Sequence, residues 1–501
     1  MKSQFPCDGS EQNKLDENGL FGNLKARLVA RGFEEEADSV ESPTMTKEGF
    51  RMILFIASLF GWILGSIDIS TAFLQQSEAF LKRDLFLQPP KEAGLGPEWV
   101  WKALKAPYGT TDAPKNWFLT LVMWFLEQGM IQLRTDLAIF VIFYNGSLAG
   151  VIGIHVDDFI FCGNKWFYSH FLPKLRRAFL VGKEKYGDFE FCGLHVHQDT
   201  KTYEVSLDQI SYANSLSEVP VEKNREKDGK CSDKEVTLFR AVVGCLLWLA
   251  VNTRPDLCFM ASFLASCVAD LRVRHLLQAN KVVHLAKTKS VTLHFRNLGL
   301  RIKSFVDWTL LRFLVFSDAS FNVGDRKRSQ GGHLIFISRD VPLTSRFIVN
   351  LLAWRSSNLR RVVSSTLGGE TISATTGFDL GSWLDAMLVE MITGYLPLRP
   401  RTILDVLSAN RSEDPQQKFL PIDQLTDCKS LVDHLISLSQ ASQLQERRLV
   451  GDLCVLREAL ETKQLRSILH CPTKKMLADA LTKDMDAEQL RDVLNHGFLE
   501  M

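Results

Sequence analysis

No two of the ten cysteines stand as C-x-x-C, and the closest pair, Cys258 and Cys267, is nine residues apart, which excludes zinc ribbons and knuckles. Cys245 lies in the apolar run VGCLLWLA, where a reduced thiol packs as a small hydrophobe; this usage points to a reducing compartment. A secretory leader is missing, since MKSQFPCDGSEQNKLDENG is polar and has no apolar stretch. Long apolar spans are missing too. The uncharged run 52–67 has 16 residues, short of the roughly 20 that a membrane helix needs, and 137–154 is broken by Asn145-Gly146-Ser147. The protein is therefore expected inside the cell, in cytoplasm or nucleus, without signal peptide or transmembrane segment. No internal repeat is visible. Net charge is nearly absent as well: 59 Lys and Arg against 58 Asp and Glu leave +1, which gives no whole-chain sign of a polyanionic partner.

What is present is an ordinary globular composition, 46% apolar and 23% charged, in a chain long enough for three or four domains. The charge is unevenly placed. Residues 272–361 hold 17 Lys or Arg against four aspartates, a surplus of +13 that the rest of the chain must cancel. Such a surplus fits a surface that grips phosphates, and it equally fits a solvated basic helical face.

Periodicity supplies the elements. Thr46 before KEGFRMILFIASLFG predicts a capped helix ended by Gly61, and a strand from Trp62 follows with Asp68 near its end. The apolar runs 148–154 and 159–161 flank His155-Val156-Asp157-Asp158 and predict a hairpin with two carboxylates at its tip. EKNREKDGKCSDKE, residues 222–235, reads as a solvated linker. Residues 237–288 read as mainly helical. From Phe313 an antiparallel strand pair opens a second α/β domain, with a helix near GGETISATTGFDLGSWLDAML, a polar loop around SANRSEDPQQ and a strand in FLPIDQLTDCKS. If the strands bearing Asp68 and Asp157-Asp158 are neighbours, their oxygens suit Mg²⁺; taken singly, each aspartate is also a common turn residue.

The order and spacing of these motifs resemble the reverse transcriptase and RNase H portion of a copia-type retrotransposon Pol polyprotein, from about Lys14 to Asp484. LKARLVARGF is similar to the family's fingers motif, SIDISTAFL to its first catalytic motif, and HVDD to its Tyr-Val-Asp-Asp. PYGTTDAPKNWF, FCGLHV, VGCLLWLAVNTRPDLCF and LADALTK resemble its later segments in the same order. The resemblance implies an α/β and α+β fold, a right-hand polymerase of fingers and palm joined by a helical connector to an RNase H-like domain. The corresponding divisions are a polar tail (1–19), fingers and palm (20–215), a charged linker (216–240), a thumb or connector (241–305) and the RNase H-like domain (306–490).

The resemblance also implies roles. Asp68, Asp157 and Asp158 become polymerase carboxylates, with Asp68 and Asp157 holding metal, and Asp318, Glu370, Asp427 and Asp479 become the metal-holding acids of the nuclease, on a strand end, a helix, a strand end and a C-terminal helix. Lys25 and Arg27 face the triphosphate, Phe73 lies under the sugar as a steric gate, and Asp112 sits beside the incoming nucleotide. Arg326, Lys327, Arg328, Arg355, Arg360 and Arg361 are placed to carry the phosphates of nucleic acid, though solvation alone also accounts for them. The implied cofactor is Mg²⁺, two per active site, with Mn²⁺ able to substitute. The implied partners are an RNA template, a DNA primer, the RNA/DNA hybrid and deoxynucleoside triphosphates, with no membrane.

The chain departs from the family at four places. Asp112 replaces a glutamine, and a carboxylate there repels a triphosphate unless metal or Lys115 offsets it. His155 replaces the motif tyrosine, the fingers sequence before KARLVARGF is short, and Lys474 falls where many RNase H domains have a histidine. Nothing resembles the family's protease, integrase or capsid segments. Two functions follow: an RNA-directed DNA polymerase with fused ribonuclease H, or a degenerate or host-adopted retroelement fragment that binds nucleic acid without polymerising, with nuclease activity alone as a variant.

Overall fold

The computed structural model of the chain describes residues 3–15, 21–32, 42–300, 310–323, 328–396, 419–436 and 448–501. They form two compact units, Met1–Thr46 with Gly65–Lys185, and Lys47–Leu64 with Tyr186–Met501.

In the first unit, β1 (Ser3–Leu15), β2 (Phe21–Ala30), β4 (Leu85–Gln88) and β5 (Trp101–Ala103) make a four-stranded sheet in the order β2-β1-β4-β5. A six-stranded sheet, β10-β3-β9-β8-β7-β6, is built from β3 (Leu64–Ile69), β6 (Ile131–Gln132), β7 (Ile139–Tyr144), β8 (Ser147–His155), β9 (Asp158–Gly163) and β10 (Val181–Tyr186). Its centre is buried on both faces, so β7, β8 and β9 read as continuous apolar runs instead of alternating ones. Phe125 of α2 (Ala113–Glu127) lies 4.8 Å, ring to ring, from Phe140 on one face. Phe167, just before α3 (Leu172–Ala178), presses its ring onto Gly150 and Gly163, where any Cβ would overlap it. Thr46, expected as a helix cap, donates through both its backbone N–H and its hydroxyl to Asp136 Oδ2, at 2.9 and 2.8 Å.

The second unit begins with α1 (Lys47–Phe60), almost wholly buried and ended by Gly61 in the left-handed region, φ 63°. Arg51 of α1 is buried among partners that use its donors: the carbonyls of Leu352 and Val251, at 3.1 and 2.8 Å, and the Trp354 ring beneath it at 3.7 Å. A small antiparallel sheet follows, β11 (Asp188–Phe191), β12 (Leu194–Gln198), β13 (Val205–Asp208) and β14 (Leu293–Phe295). The predicted helical stretch is α5 (Asp233–Asn252), α6 (Cys258–Cys267) and α7 (Val273–Thr288), preceded by the short α4 (Ile210–Ser215). Ser232 and Glu235 form a capping box at the start of α5. The charged stretch before it is tethered, not free: Arg225 pairs with Glu235, Asp228 with Arg274, and Lys230 bridges Arg272. Among the described helices, α5 alone is long and apolar enough by length and composition to cross a membrane, and its Phe239, Val243, Leu246 and Leu249 are buried inside the protein.

The remaining sheet runs β19-β18-β15-β16-β17-β20 through β15 (Leu311–Val323), β16 (Arg328–Arg339), β17 (Phe347–Asn358), β18 (Ile422–Thr426), β19 (Ser467–His470) and β20 (Phe498–Leu499). β15, β16 and β17 are antiparallel neighbours, while β18 and then β19 run parallel to β15 on its other side. With α8 (Thr366–Thr393) packed on β15, the sheet and its helix complete a mixed structure of the expected α/β and α+β class. The last helices are α9 (Lys429–Ile436), α10 (Leu449–Glu461) and α11 (Glu488–His496). The loop predicted around SANRSEDPQQ lies outside the described residues.

Candidate active sites

The hairpin tip of the first unit is a two-residue turn closed by the His155–Asp158 pair of β8 and β9. Val156, its first residue, has φ 61°, a left-handed conformation that a β-branched side chain resists at a cost of about 1–3 kcal/mol. Two hydrogen bonds hold the turn. The buried Trp117 of α2 donates its indole N–H to the Val156 carbonyl at 2.9 Å, and Ile69 N–H of β3 donates to the Asp157 carbonyl at 2.9 Å. The second of these sets the strand end bearing Asp68 beside the two tip carboxylates. Burial raises the Asp158 carboxyl to about 6; the charges of Asp157 and then Asp68 add to the rise, and His155 opposes it. Gly182 on β10 lies against the Asp68 carboxylate and the Ser70 hydroxyl, so closely that a Cβ there would overlap both.

Asp112 stands at the N-cap of α2, five residues before Trp117. Its carboxylate is not offset by Lys115, which is exposed; Arg83 takes it in a bidentate pair, Nε to Oδ2 at 3.1 Å and Nη2 to Oδ1 at 3.0 Å. Phe73 is half-buried on a 3₁₀ turn (Ala72–Gln75), its ring 4.9 Å from that of Tyr108. Lys25 and Arg27 belong to β2 by backbone, and their side chains lie outside the described residues.

In the second unit the acids converge. Asp318 on β15, Asp427 just past β18 and Asp479 each offer an oxygen, and the three oxygens lie within 4.8 Å of one another, the one such trio among the described residues. Two placements differ from expectation. Asp318 sits inside β15, not at its end, and Asp479 is on a 3₁₀ turn (Leu477–Leu481) instead of an α-helix. Glu370 comes from the second turn of α8, whose glycines Gly369, Gly377 and Gly381 let the helix approach Ala319 and Val315 closely. Its Oε1 accepts from Ala319 N–H at 3.3 Å, while the buried Oε2 has no partner. Burial, reinforced by Asp318, pushes Glu370 up to about 9, and burial also lifts Asp479 to about 6.

Lys483 was not among the expected residues. Its ammonium lies 2.6 Å from Asp479 Oδ1 and 3.5 Å from Asp318 Oδ2, and Thr482 donates its hydroxyl to Asp318. The signal was available: Lys483 stands four after Asp479 inside LADALTK, the spacing of neighbours on a helical surface. Lys474 is exposed, and its neighbour Thr473 donates to Asp427 at 3.1 Å. An all-carboxylate donor set with one orphaned buried oxygen fits a hard divalent cation.

Arg355, Arg360 and Arg361 line a cavity of about 270 Å³ with Asn358, Ser373 and Thr376. Arg361 is paired with Asp452, 2.7 Å away, and Arg328 is exposed. Arg326 and Lys327 lie outside the described residues.

A solved foamy viral protease-reverse transcriptase, in complex with RNA/DNA hybrid, aligns with 90% of this chain and 49% of its own at 10% identity and a TM-score of 0.46. The retrovirus-related Pol polyprotein from transposon RE1 of Arabidopsis thaliana is 24% identical over 495 residues, 94% of this chain. That from transposon TNT 1-94 of Nicotiana tabacum is 22% identical over 418 residues, 78% of this chain. The chain spans 30% of the length of each of these two relatives. Residues 11–223 match the family model described as reverse transcriptase (RNA-dependent DNA polymerase), and most of the chain is similar to retrovirus-related Pol polyproteins of transposons.

Proposed function

We propose that this chain is an RNA-directed DNA polymerase with a fused ribonuclease H, copying RNA into DNA and hydrolysing the RNA strand of the resulting hybrid. The observation that carries the reading is the presence in one chain of two acidic centres: the Asp157-Asp158 tip beside Asp68, and the trio Asp318, Asp427 and Asp479 with Glu370 behind it. In the first, Asp68 and Asp157 would hold Mg²⁺ or Mn²⁺; in the second, Asp318, Glu370, Asp427 and Asp479 would. When bound, paired divalent ions activate an attacking hydroxyl or water and neutralise phosphoryl charge. Asp158, with its raised carboxyl, tunes the charge of the first centre. Lys25 and Arg27 bind the triphosphate, and Phe73 excludes a 2′-hydroxyl from the sugar site. Arg83 neutralises Asp112, so that the carboxylate does not repel the nucleotide. The basic residues Arg326, Lys327, Arg328, Arg355, Arg360 and Arg361 carry the hybrid's phosphates, which are read by backbone geometry more than by base sequence. Such work lies inside the cell, where RNA and deoxynucleotides are found.

Two residues position the polymerase centre without touching substrate, Trp117 through its indole and Gly182 through the space its missing side chain leaves. Trp117→Phe keeps the ring and deletes the hydrogen bond that steadies Val156; a loss of about 1 kcal/mol of turn stabilisation is expected to lower primer-extension kcat about fivefold with little change in nucleotide KM. An unchanged kcat would mean the indole bond does not hold the turn. Gly182→Ala pushes the Asp68 carboxylate aside, and a displacement of about 1 Å is expected to cost about a hundredfold in extension, with hybrid cleavage as the internal control.

The test of the function is direct. Purified protein with an RNA template, a DNA primer, Mg²⁺ and deoxynucleotides should extend the primer and cut the RNA of a hybrid, and a chelator should stop both. Tight, salt-sensitive hybrid binding with neither activity would identify a retroelement-derived binding protein instead.

A further inference from the structure

A histidine–carboxylate cluster lies in the second unit, on residues outside both acidic centres. Strand β12 alternates buried Leu194, Val196 and Gln198 with exposed His195 and His197, so both imidazoles stand on one face, two residues apart. The register surrounds them with carboxylates. Asp188 of β11 is opposite His197, Glu190 of β11 is opposite His195, and Asp208 of β13 is opposite His195 on the other side. His195 Nδ1 lies 3.0 Å from Asp208 Oδ2, and its Nε2 lies 3.3 Å from Asp188 Oδ1; His197 Nδ1 lies 3.1 Å from Asp188 Oδ2. Asp208 is fixed in turn, since its Oδ1 accepts from Ile210 N–H at 2.9 Å.

A neutral imidazole carries a single N–H, yet His195 has a carboxylate at each nitrogen. With Nδ1–H given to the anchored Asp208, the Nε2 lone pair faces a lone pair of Asp188, and that repulsion is relieved either by a second proton on the ring or by a cation between the two groups. A carboxylate behind one ring nitrogen, with the other turned toward a cation, is the arrangement that orients metal-ligating histidines.

We propose that this face binds a divalent transition-metal ion, Zn²⁺ above all, through His195 Nε2, His197 Nδ1 and Asp188, with Asp208 orienting His195 and water completing the coordination. The mixed nitrogen and oxygen donors separate it from the all-carboxylate centre, which suits Mg²⁺. The imidazoles now engage different oxygens of Asp188, so closing around an ion requires them to rotate. At 45% and 52% side-chain exposure both have room to do so. The inference does not depend on polymerase or nuclease activity.

Zn²⁺ is titrated into the full chain against a chromogenic chelator, with excess Mg²⁺ present to occupy the acidic centres. One tight Zn²⁺ per chain is expected, weakened about tenfold or more in His195→Ala and in His197→Ala, weakened about ten- to a hundredfold in Asp208→Asn, and unchanged in Asp157→Asn and Asp427→Asn. Zn²⁺ binding that survives the His195→Ala/His197→Ala double variant, or no binding below millimolar Zn²⁺, overturns the proposal and leaves a proton-bridged cluster. Co²⁺ added to the unaltered chain decides independently of how the variants fold. Intense visible bands of a four-coordinate, nitrogen-containing site support the proposal, and only the weak bands of six-coordinate oxygen-bound Co²⁺ contradict it.

Discussion

Asp157→Asn is expected to abolish primer extension, by about three orders of magnitude, while leaving hybrid cleavage at its original rate; Asp427→Asn is expected to do the reverse. The separation follows from the fold. Asp157 belongs to one compact unit, at the tip of the β8–β9 hairpin, and Asp427 to the other, just beyond β18. Both side chains are only half-buried, and the backbone bonds that hold the Asp157 turn involve its carbonyl, which the substitution leaves in place. Asparagine keeps the shape and one oxygen but removes the charge a divalent ion needs. Parallel assays of the two variants on one hybrid substrate read both activities, and joint loss in either variant would point to damage of the fold.

Glu370→Gln has an opposite sign for activity and for stability. Hybrid cleavage is expected to fall by about two to three orders of magnitude, because the residue ceases to be an anionic ligand. The fold, in contrast, is expected to gain on the order of 1–3 kcal/mol near pH 7. Burial and Asp318 hold the carboxyl at about 9, so the folded chain keeps a proton that the unfolded chain releases above its ordinary value of 4.5. Stability from this group is therefore lost steadily as pH rises between those two values, and glutamine removes that slope. Divalent ions must displace the same proton, so their affinity for the centre should climb with pH through this window, first past the Asp479 value of about 6. Thermal unfolding of the two proteins from pH 5 to 9, without metal, gives the comparison; equal slopes would contradict the buried, protonated carboxyl.

Much of this was legible in the sequence because apolar patterning marks buried strands. The β8–β9 hairpin, the α5–α7 helices and β15, β16 and β18 follow from runs whose burial the fold confirms, whereas β17 is not among the strands read from the sequence. The acids gathered in the second unit were identifiable only through resemblance, since Asp318, Glu370, Asp427 and Asp479 are far apart in the chain and no local rule joins them. Other features depend on tertiary contacts. The strained φ of Val156 and its indole partner, the empty space that Gly182 leaves for Asp68, and the choice of Arg83 over Lys115 as the partner of Asp112 are all set by which strands and helices meet. Lys115 is three residues from Asp112 in the chain, yet a partner 29 residues away won, because the start of α2 presents Asp112 to Arg83.

The most direct measurement is Mn²⁺ binding to the full chain, followed by electron paramagnetic resonance without nucleic acid. Bound Mn²⁺ should fall in Asp427→Asn and, separately, in Asp157→Asn, with the losses additive in the double variant. Mn²⁺ binding that is indifferent to both substitutions would contradict the assignment of these carboxylates as ion-holding centres.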